Sequence, residues 1–532
     1  MEIQELLKIY ADHPQVAAIT KLLQEDKCRN LYLKGLSGSG AAMMIASLFT
    51  KRSDSYVCIL NDQEEAGYFY HDLMQITQRN DIYFFPSAYR RDIKYGHIDP
   101  ANEILRTEVL SLLQNPTAPF IIVTYPEALA EKVVSNEVLK ENTLQIHTGE
   151  KLDNMFVSDV LDQYGFEQVD YVYEPGQYAL RGSILDVFSY SYEFPYRIDF
   201  FGDEVETIRS FDVETQLSKE KLERIYIVPE MKKSNTAGTS LLASVPGHTL
   251  LAAHNLAWCK ERIGSIWNEE PVVADEDSFA DNQQMQAKLI TDADFLRDVL
   301  NFKRIHFGTR PMGVVDATVS FATQPQPIFH KNFDLVGESF RNFLEKGYTL
   351  YILSDVEKQT TRIRTIFEDR QDNITFTPVN KTIHEGFSDD TLRICLFTDH
   401  QLFDRFHKFN LKSEKARSGK ITLSLKELNQ FSIGDYIVHI DHGIGQFGGL
   451  VRTDVNGKLQ EAIKLIYQNN DIIFVSIHSL HKLSNYKGKE SGTPPKLSKL
   501  GTGAWEKMKE KTKKKVKDIA RDLILLYSKR RK

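Results

Sequence analysis

Cysteine is scarce: Cys28, Cys58, Cys259 and Cys395 are the only four in 532 residues, and no C-x-x-C spacing occurs. That excludes a disulfide framework, argues against a cysteine-ligated zinc site, and suits a reducing compartment. No apolar run approaches the roughly 18–20 residues that a membrane-spanning helix needs. Met1-Glu2-Ile3-Gln4-Glu5 has neither a basic stretch nor an apolar core, so no secretory signal is expected there. These absences predict a cytoplasmic protein with no membrane contact. No internal repeat of about 20–50 residues is visible. The composition is that of a globular protein, with 42% hydrophobic, 26% charged and 11% aromatic residues. The length corresponds to about three to five domains.

Charge is unevenly spread. Residues 481–532 hold 17 Lys+Arg and 5 Asp+Glu, a net of +12, which leaves −19 for the rest of a chain whose net is −7. The bulk of the chain therefore repels nucleic acid, and only this tail has the charge density to meet phosphates. Within 504–532, Val516, Ala520, Leu523 and Tyr527 recur at three- and four-residue steps opposite a Lys-rich face. That predicts a helix whose basic face is either plain solvated surface or a nucleic-acid contact. It runs into Ser528-Lys-Arg-Arg-Lys532 with no cap, so the chain is expected to be part of a longer protein.

The predicted fold class is multidomain α/β and α+β. Residues 1–142 carry short apolar runs at 31–34, 56–60, 81–85 and 120–124 between helical patterns, as strands covered on both faces do. Residues 143–228 switch to alternation (178–188 and 196–201), punctuated by Gly and Pro, which predicts an inserted antiparallel lobe. Mixed structure returns over 229–331. A small α/β domain is expected over 332–420, a compact β-domain over 425–490, and the basic helix over 504–532.

Gly35-Leu-Ser-Gly-Ser-Gly-Ala-Ala42 follows a predicted strand and precedes an apolar helix beginning Met43-Met44-Ile45. This is the context and spacing of the phosphate loop G-x-x-x-x-G-K-[ST], in which Gly35, Gly38 and Gly40 let backbone N–H groups surround an anion. Ala41 stands where the lysine that reaches the phosphates belongs, and Ala42 where the magnesium-binding hydroxyl belongs. Losing both removes most of the charge neutralisation that phosphoryl transfer needs. A vestigial loop is expected; weak anion binding and a noncanonical NTPase are the alternatives. The acidic run at 272–277 reads as a surface turn rather than a second nucleotide motif. Gly35-Leu-Ser-Gly also fails the register of a G-x-S-x-G nucleophile elbow.

In 196–201 the two-residue period puts Ile198 and Phe200 on the core face and Arg197, Asp199 and Phe201 on the other, with Arg181 in the preceding hairpin. Arginine and aromatic side chains on one exposed sheet face suit a protein-binding hot spot. The bland alternative is an Arg197–Asp199 ion pair of small worth, with Phe201 under a loop. His439, Asp441 and His442 have ligand-like spacing, but on a strand His442 faces away from the other two. Gly443 and Gly445 point instead to a tight turn, and no metal site or catalytic residue is expected.

Residues 174–188, 195–209 with Thr215 and Gln216, 434–445 and 497–505, together with Gly35–Ala42, resemble the N-terminal half of bacterial transcription-repair coupling factors. The resemblance implies a UvrB-like domain with a decayed phosphate loop over 1–142 and 229–331, and an inserted UvrA-binding lobe. Arg181, Arg197 and Phe201 match the family's UvrA contacts. It implies that 425–490 docks on the β subunit of RNA polymerase, with Leu450, Val451, Arg452 and Thr453 as the expected contacts. It implies no cofactor in this chain. The family's ATP- and Mg-dependent translocase, which grips double-stranded DNA, would follow Lys532. UvrB's long aromatic hairpin has no clear counterpart in 89–102. The resemblance thus predicts a non-catalytic adaptor.

Overall fold

The structure, a computed structural model, describes residues 1–88, 100–170, 172, 174–213, 216–231, 238–268, 286–411, 428, 430–455, 458–486 and 494–512. The run at 272–277, Thr215, most of 89–102 and the tail beyond 512 lie outside the described residues. The chain divides into two compact units, Met1–Ala416 and Arg417–Lys532.

The first unit is built on a seven-stranded sheet. Its order is Ala317–Ser320, Asn30–Lys34, Lys303–His306, Leu250–Ala253, Tyr56–Ile59, Ile121–Thr124, Ile82–Phe84, with all neighbours parallel. Every residue of the strands Tyr56–Ile59, Ile121–Thr124 and Leu250–Ala253 is buried. Helices covering both faces of a parallel sheet require this, which is why the strands read as unbroken apolar runs. Helix Ile3–Ala11 buries Ile3, Leu6, Leu7 and Tyr10, the i, i+3, i+4, i+7 stripe of an amphipathic helix.

Between Ile121–Thr124 and Leu250–Ala253 the chain leaves this sheet to form a lobe. Six strands lie in the order Ser218–Leu222, Glu204–Phe211, Tyr196–Phe201, Ile184–Val187, Gln177–Arg181, Glu167–Gln168, antiparallel except for the last pair. One face is the lobe's core: Val157 and Leu161 of helix Asn154–Gln163 join Leu185, Ile198, Phe200 and Ile208. On the other face, Ala179 and Phe188 share a buried cluster with Ala101 and Ile104 of helix Pro100–Gln114.

A third, five-stranded sheet follows in the order Thr323–Pro325, Phe387–Asp389, Ile394–Thr398, Thr349–Leu353, Thr377–Val379. Its Tyr351, Val379 and Phe387 belong to the same buried cluster as the first sheet. The N-terminus ties the two together: the Met1 ammonium donates to the Pro378 carbonyl at 3.1 Å, and the Tyr10 hydroxyl to Asp389 at 2.9 Å.

The second unit is an antiparallel sheet in the order Ile472–Ser476, Lys458–Ile466, Gly443–Val455, Tyr436–His439, Leu483–Asn485. A register shift between Phe447 and Leu450 bends the long hairpin. Residues 494–503 fold back onto the sheet, and 504–512 form a helix where one was expected, its first turn still touching the sheet. Ile444 and Ser498 exchange backbone and side-chain hydrogen bonds at 2.9 Å, and the Trp505 indole donates to the Ile440 carbonyl at 2.9 Å. Gly443, at φ +83°, lies so close beneath the Trp505 ring that a Cβ there would stand 2.9 Å from it. Among the described residues no helix is long and apolar enough to cross a membrane.

Candidate functional site

The phosphate loop has the expected frame, a strand Asn30–Lys34 and a helix Gly40–Lys51 joined by a turn with Gly35 at φ +90° and Gly38 at φ +53°. Three of its backbone donors, however, are aimed at the protein itself. The Ser39 N–H donates to the Glu385 carbonyl at 2.9 Å, the Gly40 N–H to Ser37 at 2.9 Å, and the Ser37 N–H to the Thr323 hydroxyl at 2.9 Å. Thr323 in turn donates to the Gly35 carbonyl at 2.6 Å. A Cβ on Gly38 would stand 2.9 Å from the carbonyl oxygens of Glu385 and Gly386. The peptide segment leading into the third sheet's strand Phe387–Asp389 thus lies against the face an anion would occupy. Ala42 is buried and Ala41 half-buried against the core.

Asp72 braces this contact from helix Gln63–Thr77. It accepts from the Ser39 hydroxyl at 2.6 Å and the His384 N–H at 2.7 Å, while the Ser39 hydroxyl accepts from the Glu385 N–H at 2.9 Å. Burial pushes the Asp72 carboxyl up to about 7, against the opposing pull of these hydrogen bonds. Thr323, His384 and Glu385 are positions that sequence reasoning missed; contacts this remote leave no local pattern.

The lobe's sheet face is different. Phe201 is 78% exposed, which overturns the alternative that a loop covers it. The Arg197–Asp199 pairing is also corrected. Arg197 forks onto Asp186, Nε to Oδ1 at 2.7 Å and Nη2 to Oδ2 at 2.9 Å, and Arg181 Nη2 reaches the same Oδ2 at 2.5 Å. The reason is register: Asp186 lies directly opposite Arg197 on the neighbouring strand, whereas Asp199 is two residues along its own strand. Asp199 instead takes Arg209 Nη2 at 2.5 Å and the Thr207 hydroxyl at 3.0 Å.

Asp186 is 1% exposed and the Arg197 side chain 15%, so this is a largely desolvated cluster. Arg197 also lies 4.2 Å over the Phe211 ring and donates to the Gln216 side chain at 3.1 Å. The hydrogen bonds to Asp186 hold its guanidinium above the ordinary arginine range. Three of the expected residues therefore share one face, with two of them joined through an acid that sequence reasoning did not single out. The signal was available in part: Asp186 is an acid between the inward-facing Leu185 and Val187.

In the second unit, Leu450, Val451, Arg452 and Thr453 pair with Ile463, Ala462, Glu461 and Gln460. Tyr436–His439 covers only Gly443–Gln446 of this long strand. Among the described residues the other edge of 450–453 therefore has no partner strand. Arg452 pairs with Glu461 at 3.5 Å, and Leu450 packs partly on the core. The histidine motif is a turn, in which the Asp441 N–H donates to His439 Nδ1 at 3.0 Å. It corrects the expectation that His442 faces away, because leaving the strand brings the two imidazole rings to 4.5 Å.

Comparison with known proteins follows the same division. Residues 144–232 match the UvrB interaction domain, and residues 431–487 match the CarD-like/TRCF RID domain. The class is thus a chain that joins these two interaction domains. Along most of its length it is similar to the N-terminal half of transcription-repair-coupling factors. It is 25% identical to that of Bacillus subtilis (strain 168) over 94% of this chain and 48% of the relative. It is 24% identical to those of Staphylococcus aureus (strain bovine RF122 / ET3-1) and Staphylococcus haemolyticus (strain JCSC1435), over 94% of this chain and 49% of each relative. The chain spans about half the length of the curated relatives it matches.

Proposed function

We propose that this chain is a non-catalytic adaptor of transcription-coupled nucleotide excision repair. It binds UvrA through Arg181, Arg197 and Phe201 and the β subunit of stalled RNA polymerase through its second unit. The observation that carries the first half is the exposed Phe201 on the same sheet face as two arginines locked by the buried Asp186. Rigid cations next to an aromatic anchor are what a protein hot spot requires, because little ordering entropy remains to be lost on binding. Support for the second half is the open strand edge at 450–453 in a domain matching the RID model. An open edge accepts an added strand from a partner through main-chain hydrogen bonds. Ala41 and Ala42, and loop donors already engaged by Glu385 and Thr323, support a chain that needs no nucleotide or magnesium and transfers no phosphoryl group. In the longer protein, an ATP-driven motor on double-stranded DNA would displace the polymerase, in the cytoplasm.

The test is sequential capture. RNA polymerase is immobilised, this chain is added, then UvrA. A second binding step that appears only with the chain present supports the adaptor; UvrA capture that is independent of the chain, or absent, contradicts it.

A further inference from the structure

We propose that Arg209 is a third partner-contacting cation of the lobe face, and that the surface it meets on UvrA is acidic. This rests on the reading of the lobe as the UvrA-docking face. Register places Arg209 directly opposite Arg197 on the adjacent strand, with Lys221 opposite Arg209 on the far side. A row of Lys221, Arg209 and Arg197 thus crosses three strands. Like charges directly opposite one another destabilise a sheet. The fold supplies two acids on this face to offset them, Asp186 for Arg181 and Arg197, and Asp199 for Arg209. Glu204 lies opposite Phe201 at the far end of the face, so the surplus positive charge is confined to the row. There Lys221, Arg209, Arg197 and the neighbouring Arg181 meet only the acids Asp186 and Asp199 among the described residues.

Arg209 is better placed for contact than Arg197. Its side chain is 39% exposed, against 15% for Arg197. Asp199 engages only Nη2, and Thr207 donates to the same carboxylate oxygen; Nε is buried, so the guanidinium is oriented with Nη1 left to meet a partner. A guanidinium offers five donors in a rigid fork, and planar recognition of carboxylate is the contact it makes best. An acidic partner surface would meet these donors and relieve the repulsion along the row. Phe201, at the end of the same strand face, would seat in an adjoining apolar site.

The experiment titrates UvrA with the full chain carrying Arg209→Glu, Arg209→Ala or Arg209→Lys, with Phe201→Ala as a reference and thermal unfolding as a check on folding. Arg209→Glu is expected to weaken binding about tenfold or more, and Arg209→Lys by less, since the ammonium keeps the charge but not the fork. Arg209→Ala should flatten the dependence of affinity on salt. If Arg209→Glu lowers the unfolding temperature, Arg209→Ala decides. Unchanged affinity and salt dependence in Arg209→Ala, alongside lost binding in Phe201→Ala, would overturn the assignment of Arg209 while leaving the docking face standing. Absence of wild-type binding, or wild-type affinity in Phe201→Ala, would overturn the docking face and Arg209 with it.

Discussion

The phosphate loop and the lobe face have opposite fates in one folded unit. At the loop, Ser37, Ser39 and Gly40 direct their N–H groups at Thr323, Glu385 and Ser37, so a geometry suited to anions serves as a joint between two sheets. At the lobe, Asp186 consumes part of the donor capacity of Arg181 and Arg197, yet Phe201 stays in solvent. Both regions carry residues that a motif would flag. What separates them is whether the fold satisfies those residues internally. Inward satisfaction makes a structural element, and partial satisfaction on a face with an exposed aromatic is what the proposed docking surface rests on.

The contrast can be broken at several points. The largest expected effect is Asp186→Ala, which leaves the mostly buried Arg197 without its acid and should cost about 3–5 kcal/mol in chemical denaturation. A loss below about 1 kcal/mol would mean the cluster is not desolvated as described. The next is a pH effect at the joint. Burial raises the Asp72 carboxyl to about 7, above its value of roughly 3.9 in an unfolded chain. Between those values the folded state holds a proton that the unfolded state has lost. Asp72 therefore favours folding less and less as pH rises through this window, and its contribution is flat outside it. Subtracting the denaturation profile of Asp72→Asn from that of the wild type should reveal a fall of about 2–4 kcal/mol from pH 4 to pH 8. A flat difference would contradict the burial.

Gly38→Ala comes third. It places a Cβ against two carbonyl oxygens at a left-handed φ of +53° and should destabilise by about 2 kcal/mol. A smaller effect is expected from Ala41→Lys, which restores the phosphate-binding cation but not the space. Equilibrium titration with a fluorescent ATP analogue should show no binding at micromolar concentration, because Glu385 still lies against the loop. Saturable binding would mean that the joint opens readily.

Local periodicity made the outward face of Tyr196–Phe201 legible, since Ile198 and Phe200 are buried as the alternation requires. It could not reveal Asp186 as the partner of Arg197, because which strands pair, and in which register, is a tertiary fact. A neighbour in sequence, Asp199, therefore looked like the natural ion-pair partner. The phosphate loop was legible in its glycines and in the two alanines. Its filling was not, because Ser39 and Glu385 are 346 residues apart. In the second unit the glycines made the turn legible, but not that Gly443 also makes room for Trp505, in the first turn of the helix that follows.

The smallest effect on folding, and the largest on binding, belongs to Phe201→Ala. Removing an exposed side chain should leave stability within about 0.5 kcal/mol of the wild type. The most direct measurement is the binding isotherm of this chain with purified UvrA, wild type against Phe201→Ala. An exposed docking face predicts micromolar or tighter wild-type binding that Phe201→Ala weakens by about tenfold or more. Equal affinities, or a folded wild type that does not bind, would contradict it.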